Sequence, residues 1–97
     1  MTIDNILTHP GYYNTPGNAY TVLVGDTYTS QVLSNYCRKV SLHANGHPIY
    51  FKLNSGTGEH YIKTDERIYI TVPANSTLHV KTTQSNSGTC YISEYEW

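Results

Sequence analysis

The side chains best suited to metal binding or acid–base chemistry in this sequence are five histidines, spread along the chain. Two of them, His43 and His47, flank the dipeptide Asn45-Gly46, close enough to share an ion if both side chains faced the same way. In the strand register that this dipeptide predicts, the two side chains point to opposite faces. We therefore expect surface or turn histidines and neither a bound metal nor a cofactor. The five residues are His9, His43, His47, His60 and His79.

Other patterns that support catalysis are incomplete. Asp65 and Glu66 are adjacent, so their side chains diverge in an extended chain and do not form an acid–base pair. The loop 54–58 is rich in glycine but lacks the Lys-Ser/Thr ending of a phosphate-binding loop, and no helical pattern follows it. The sequence has neither a Gly-x-Ser-x-Gly nor a His-Glu-x-x-His motif. We expect a protein that is not an enzyme.

The two cysteines, Cys37 and Cys90, are too few for a disulfide framework and are not spaced as metal ligands. The N-terminus has neither the basic start nor the apolar core of a signal peptide, which favours folding in a cytosol. Two reduced thiols are the favoured interpretation in that compartment, and a single bridge is the alternative.

Composition argues against two classes of partner. Only 13% of the 97 residues are charged and the net charge is -1, unlike the basic surface of a nucleic-acid-binding protein. No apolar run approaches the roughly 18 residues of a membrane span, so we expect neither nucleic acid nor membrane as a partner. Thr, Tyr, Val and Ile favour strands, and good helix formers are scarce, which indicates an all-β domain.

The segment 38–53 is predicted to form a β-hairpin around Asn45-Gly46. This dipeptide is favoured in a two-residue type I′ turn because both central residues need a positive φ. The register that follows places four apolar side chains on one face of the ribbon, as a half-buried hairpin requires. These side chains are Val40, Leu42, Ile49 and Phe51.

Short alternating runs continue on both sides of this segment and predict further strands. These runs cover 19–24, 27–33, 60–63, 66–72, 77–82 and 89–95. Their even spacing, with turn-forming residues between them, predicts a small antiparallel β-sandwich, jelly-roll-like, of about seven or eight strands. We divide the chain into an N-terminal extended arm, 1–18, and a β-sandwich domain, 19–97. The predicted core is Val22, Val24, Val32, Val40, Leu42, Ile49, Phe51, Leu53, Ile62, Ile68, Ile70, Val72, Leu78, Val80, Cys90 and Ile92.

Tyrosine is unusually frequent, with ten residues in the chain. Tyr50, Tyr69 and Tyr91 each lie between two predicted core residues, so they point outward. Tyrosine suits contacts that are partly apolar and partly hydrogen-bonded, such as protein interfaces and sugar-binding platforms. Cross-strand stacking on an exposed sheet is the alternative explanation.

The arm 1–18 has no strand or helix periodicity, yet it carries five large apolar or aromatic side chains that are costly to leave in water. Two interpretations stay open: the arm packs back on its own domain, or it reaches a neighbouring subunit. The five residues are Ile3, Ile6, Leu7, Tyr12 and Tyr13.

The region 38–97 resembles the capsid decoration, or cement, proteins of tailed bacteriophages. The resemblance is in the order of its features: RKVSLHANG, then IYFKLNSGTG, then IYITVPANSTLHVKT, and finally SGTCYISEYEW with its acidic and aromatic tail. The histidine- and tyrosine-rich turns depart from the small residues usual in that family. The resemblance covers these 60 residues of the chain.

Proteins of this family are all-β, often trimeric, and bind the outside of an icosahedral shell. The resemblance therefore implies a non-enzymatic virion protein, assembled in the host cytoplasm, whose partners are the major capsid protein and copies of itself, with a trimer favoured. A carbohydrate-binding or receptor-binding module is the alternative function. The predicted interface residues are Ile3, Ile6, Leu7, Tyr12, Tyr13, Tyr50, Tyr69, Tyr91, Tyr95 and Trp97.

Overall fold

The computed structural model describes residues 15–83 and 87–96, which form eight strands. The strands are β1 Thr15–Val24, β2 Thr29–Val32, β3 Lys39–Asn45, β4 Ile49–Leu53, β5 His60–Ile62, β6 Arg67–Thr71, β7 Thr77–Thr82 and β8 Gly88–Glu96. The described part of the chain has no helix long and apolar enough to cross a membrane.

The strands form two four-stranded antiparallel sheets that pack face to face. The first sheet has the order β1-β8-β3-β6 and the second the order β2-β7-β4-β5. Most strands therefore pair with strands distant in sequence, as in a jelly roll. This architecture confirms the predicted all-β sandwich, for which about seven or eight strands were expected.

The predicted hairpin over 38–53 is wrong. β3 lies in the first sheet and β4 in the second, so the two strands are not paired with each other. Gly46 has a φ of 87°, but Asn45 does not have a positive φ, whereas a type I′ turn needs two such residues. The backbone N–H of Gly46 instead donates to Oδ1 of Asp65 at 3.3 Å. The chain crosses between the two sheets at this turn.

The burial pattern explains why a hairpin and a sheet crossing look alike in sequence. Val40, Leu42, Ile49 and Phe51 are all buried, as predicted, because the inner faces of two packed sheets need the same alternation as one face of a hairpin. The pairing partner of each strand is decided elsewhere. Leu42 pairs with residues of β6 and β8.

The core lies between the sheets and contains most of the predicted side chains. Val32 is an exception, because it is 66% exposed on the edge strand β2 and its neighbour Leu33 is buried instead. Leu53, Ile68 and Ile70 are only partly buried against the core. The buried apolar residues are Val22, Val24, Leu33, Cys37, Val40, Leu42, Ala44, Ile49, Phe51, Ile62, Val72, Leu78, Val80, Cys90 and Ile92.

Candidate functional site

Three of the predicted interface tyrosines lie together on the outer face of the first sheet. Tyr91 and Tyr95 project from β8, and Tyr69 projects from β6 across the intervening strand β3. Tyr69 is 55% exposed and Tyr91 39% exposed. With Ser41 and Arg67, these side chains form a surface that we call the Tyr–Arg patch.

The hydroxyl of Ser41 holds this patch in place. Ser41 is fully buried, although its position on β3 faces outward, because the patch side chains cover it. Nη1 of Arg67 donates to its Oγ at 2.8 Å, and the Tyr95 hydroxyl hydrogen-bonds to the same atom at 3.0 Å. The ring of Tyr95 lies 6.0 Å from that of Tyr69 between centroids. The patch is therefore ordered before any partner arrives.

His43 extends the patch toward the other end of β3. Its ring lies 6.1 Å from that of Tyr91, tilted by 32°. The ring atom Nδ1 is buried and has no hydrogen-bond partner among the described residues. Burial without a partner costs free energy, and this makes His43 a position where the patch can still gain a hydrogen bond.

Tyr50, the other predicted interface tyrosine that the structure describes, lies on the outer face of the second sheet. Its ring lies 5.3 Å from that of Tyr61, across the β4–β5 pair. The alternation pattern does not separate Tyr50 from Tyr69 and Tyr91, because all three lie between two predicted core residues. The sheet assignment of β4 separates them.

A network of charged and aromatic groups covers this second face. The Tyr28 hydroxyl donates to Oε2 of Glu59, and Nζ of Lys81 lies 3.6 Å from the same oxygen. Nζ of Lys52 lies 4.9 Å from the centroid of the Tyr28 ring, and that of Lys81 lies 5.3 Å from it. We call Tyr28, Tyr50, Lys52, Glu59 and Lys81 the Tyr–Lys cluster.

The hydrogen bond from Tyr28 holds the pKa of Glu59 below its ordinary value, and the nearby Lys81 and Lys52 add to this. Burial, together with the same hydrogen bond, raises the pKa of Tyr28. Both shifts keep the phenol protonated and the carboxylate ionised, so the contact persists across the neutral range.

A surface cavity of about 420 Å³ opens beside Tyr50, and we call it the Tyr50 hollow. It is lined by Asp26, Tyr50, Glu59, Lys81, Thr82 and Thr83. Two hydrogen bonds fix its floor: the Thr82 N–H donates to the Gly25 carbonyl at 2.8 Å, and the Thr82 hydroxyl donates to the Pro48 carbonyl at 2.9 Å. The first of these ties the turn that carries Asp26 to the end of β7.

The core contains one carboxylate that sequence reasoning missed. Glu94 is 2% exposed and has the inward parity of Cys90 and Ile92 on β8, which is the signal that could have found it. Its Oε2 accepts hydrogen bonds from the Tyr20 hydroxyl at 2.7 Å and the Ser34 N–H at 2.8 Å. Its Oε1 has no partner among the described residues.

Both cysteines are buried free thiols, the favoured of the two predicted alternatives. Burial raises the pKa of Cys37, and it raises that of Cys90 to about 12. A thiol that stays protonated at neutral pH is a poor nucleophile, so neither cysteine suits covalent chemistry.

The remaining predicted interface residues lie outside the described part of the chain. They are Ile3, Ile6, Leu7, Tyr12, Tyr13 and Trp97. The boundary of the arm can be compared only at its end: β1 begins at Thr15, so residues 15–18 belong to a strand.

The sequence matches no protein-family model, and no curated protein matches it. Solved structures share the fold. Fe(II) HppE aligns with a TM-score of 0.57 at 12% identity, over 78% of this chain and 42% of its own. The cupin domain of Schizosaccharomyces pombe Cnp3 gives 0.54 at 14% identity, over 81% and 52%. Protein NMB1881 of Neisseria meningitidis gives 0.56 at 16% identity, over 88% and 85%.

These likenesses establish the fold alone, since all three identities are low. This chain spans about two fifths of the length of HppE. Iron in HppE raises the question of a metal site, but the residues that the structure describes do not form one. No group of three or more His, Cys, Asp or Glu side chains in 15–83 and 87–96 could hold a metal ion. His43, His47, His60 and His79 lie on different strands and turns.

Proposed function

We propose that this chain is a non-enzymatic structural protein of a bacteriophage virion that binds the outer surface of the capsid as a cement protein. The Tyr–Arg patch is the observation that carries this proposal. The order of features across residues 38–97 that resembles cement proteins supports the choice of partner.

The composition of the patch is that of a protein interface. Tyrosine and arginine are enriched among the residues that dominate binding energy between proteins, and lysine, aspartate and glutamate are depleted at interface cores. Tyr69, Tyr91 and Tyr95 bring apolar area with few rotatable bonds, and Arg67 is already fixed on Ser41. Ordering these side chains before binding reduces the entropy lost on attachment.

The start of β1, to which the arm is joined, lies beside this surface. Thr15, where β1 begins, pairs with Glu96, and Pro16 pairs with Tyr95 of the patch. Residues 1–14 therefore join the domain at the end of the sheet where Tyr95 lies. The proposed partners are the major capsid protein and further copies of this chain, with a trimer favoured, and the proposed location is the capsid surface.

The test is binding of the purified protein to capsids that lack it, measured by co-sedimentation over a concentration series. Tyr69→Ala should weaken attachment by about tenfold or more, the range of an interface hot spot. Tyr61→Ala is the matched control, since Tyr61 is 53% exposed on the opposite sheet. Deleting residues 1–14 should also weaken attachment and leaves β1 intact.

Two results would contradict the proposal. One is that the unaltered protein does not sediment with capsids. The other is that Tyr61→Ala weakens attachment as much as Tyr69→Ala, because the Tyr–Arg patch would then have no special part in binding. Normal attachment of the deletion variant would remove only the arm from the interface.

A further inference from the structure

We propose that the Tyr50 hollow binds a neutral saccharide. It is a second site, on the opposite sheet from the Tyr–Arg patch, and the proposal stands whether or not the protein attaches to capsids.

The size and shape of the hollow fit a ligand of one or two sugar units. Its volume of about 420 Å³ lies in the range of small-molecule sites, roughly 300–1,000 Å³. The outward ring of Tyr50 forms one wall, and the ring of Tyr61, 5.3 Å away and tilted by 54°, continues the aromatic surface beyond it. A pyranose ring has an apolar C–H face that packs on such a surface.

The polar side chains of the hollow match the hydroxyl groups of a sugar. The two carboxylates, Asp26 and Glu59, accept hydrogen bonds from hydroxyl donors. Both contacts that hold Glu59 end on Oε2, and its other oxygen accepts no hydrogen bond from the described residues. Charge-assisted hydrogen bonds of this kind are the stronger ones.

The charge of the hollow argues for a neutral ligand. Two carboxylates and one ammonium group line it, which disfavours an anionic ligand. A cationic ligand would compete with Lys81, whose Nζ already lies 5.8 Å from the centroid of the Tyr50 ring and 3.6 Å from Glu59. A second cation at this ring would be repelled by the Lys81 ammonium group, whereas a neutral ligand would not.

The same charges argue against a protein partner at this face. Lysine, glutamate and aspartate are depleted at the cores of protein interfaces, yet Lys52, Lys81, Glu59 and Asp26 surround the rings of Tyr28 and Tyr50. Burying these groups under a protein would require desolvation of each. A saccharide leaves most of them in contact with water.

The experiment begins with a microarray of neutral and acidic oligosaccharides of two to six units, probed with the unaltered protein. The strongest binder is then titrated into isotopically labelled protein and followed by NMR. We expect a neutral oligosaccharide to bind, with chemical-shift changes concentrated at Asp26, Tyr50, Glu59 and Lys81. Binding of no array member would overturn the proposal, as would shift changes that map to the first sheet.

Variants test the assignment to the hollow. Tyr50→Ala should weaken binding of the selected oligosaccharide by about fivefold to tenfold, the loss expected for one aromatic contact. Asp26→Asn keeps the shape of the side chain and should weaken it by a smaller factor with the fold intact. Tyr69→Ala, on the other sheet, should leave it unchanged. Equal losses for Tyr69→Ala and Tyr50→Ala would overturn the assignment.

Capsid binding measured on the same variants separates the two proposals. Tyr50→Ala should weaken saccharide binding and leave capsid attachment unchanged, whereas Tyr69→Ala should weaken capsid attachment and leave saccharide binding unchanged. If the protein binds a saccharide but does not bind capsids, the proposed function is overturned and the proposed saccharide site is supported.

Discussion

The two outer faces of the sandwich expose tyrosines to nearly the same degree but hold them by different means. Tyr69 on the first sheet and Tyr61 on the second are 55% and 53% exposed. In the Tyr–Arg patch, the anchor is a buried neutral hydroxyl, that of Ser41. In the Tyr–Lys cluster, the anchors are charged groups at the surface, with the carboxylate of Glu59 at their centre.

This difference shows that tyrosine content alone does not assign a function to a surface. A patch with a neutral, buried anchor carries fewer charged groups to be desolvated when another protein covers it, and Arg67 is the one that the Tyr–Arg patch contains. A face on which the carboxylate of an ion pair also binds a tyrosine hydroxyl carries a desolvation cost against such a partner and offers hydrogen-bonding groups to a polar ligand. The anchors, more than the rings, distinguish the two faces.

The largest expected effect on stability comes from truncating a side chain in the core that the two faces share. Leu42→Ala deletes a fully buried side chain and should lower the free energy of unfolding by about 2–5 kcal/mol. Urea denaturation measures it. Leu23→Ala is the control, since Leu23 is 76% exposed and its removal should cost less than about 0.5 kcal/mol. Equal losses for the two variants would contradict the burial assigned to Leu42.

Removing the Ser41 anchor should have an intermediate effect on stability, larger than the effect of removing a surface serine on the other face. Ser41→Ala removes the acceptor of Arg67 and the partner of Tyr95 and should destabilise the protein by about 1–2 kcal/mol. The control is Ser30 on the second sheet, a serine outside the Tyr–Lys cluster, whose exposed Oγ lies 2.7 Å from Nδ1 of His79. Ser30→Ala should change stability by less than about 0.5 kcal/mol. Equal losses of stability in Ser41→Ala and Ser30→Ala would mean that the hydrogen bonds of Ser41 stabilise the protein no more than a surface hydrogen bond does.

The smallest expected effect is electrostatic and confined to the Tyr–Lys cluster. Tyr28→Phe removes the main cause of the lowered pKa of Glu59, so this pKa should rise toward its ordinary value, and Lys81 and Lys52 should hold back part of the rise. A carboxylate with a lowered pKa stabilises the fold above its unfolded pKa, and the stabilisation is lost as the pH falls through the folded pKa. In the variant, less stability should therefore be lost on acidification.

An NMR titration of the Glu59 carboxyl group through the acidic range measures this change. Tyr69→Phe on the first sheet serves as the control and should leave the Glu59 titration unchanged. An unchanged pKa in Tyr28→Phe would mean that the phenol does not hold the carboxylate in solution.

Strand positions were predictable because alternation reports burial directly. Val22, Leu78 and Ile92 are buried as their parity requires. The prediction that Val32 is buried was wrong because β2 is an edge strand of four residues with only one neighbour. Which side chains of β2 face inward is set by its register with β7. Glu94 was not predicted to be buried for a different reason. A carboxylate at an inward-facing strand position is normally excluded from the interior, and here the hydrogen-bond donors of Tyr20 and Ser34 accommodate it.

The candidate sites were predictable in their residue types but not in their grouping. Tyr50, Tyr69 and Tyr91 have the same local pattern, yet one lies on the opposite sheet from the other two. Tyr28 and Glu59 were not predicted as site residues, because they come together only when β2 and β5 are placed in one sheet with β7 and β4 between them.

By itself, the sequence determined where most strands lie and which side of most of them is apolar, because side-chain alternation is a local property of an extended chain. The tertiary structure decided which strands are neighbours. A crossing between sheets at Asn45-Gly46 buries the same side chains as a hairpin would, so the choice depends on hydrogen-bond partners that arrive later in the chain, on β6, β7 and β8. That choice divides the outward tyrosines between a surface anchored by Ser41 and one anchored by Glu59.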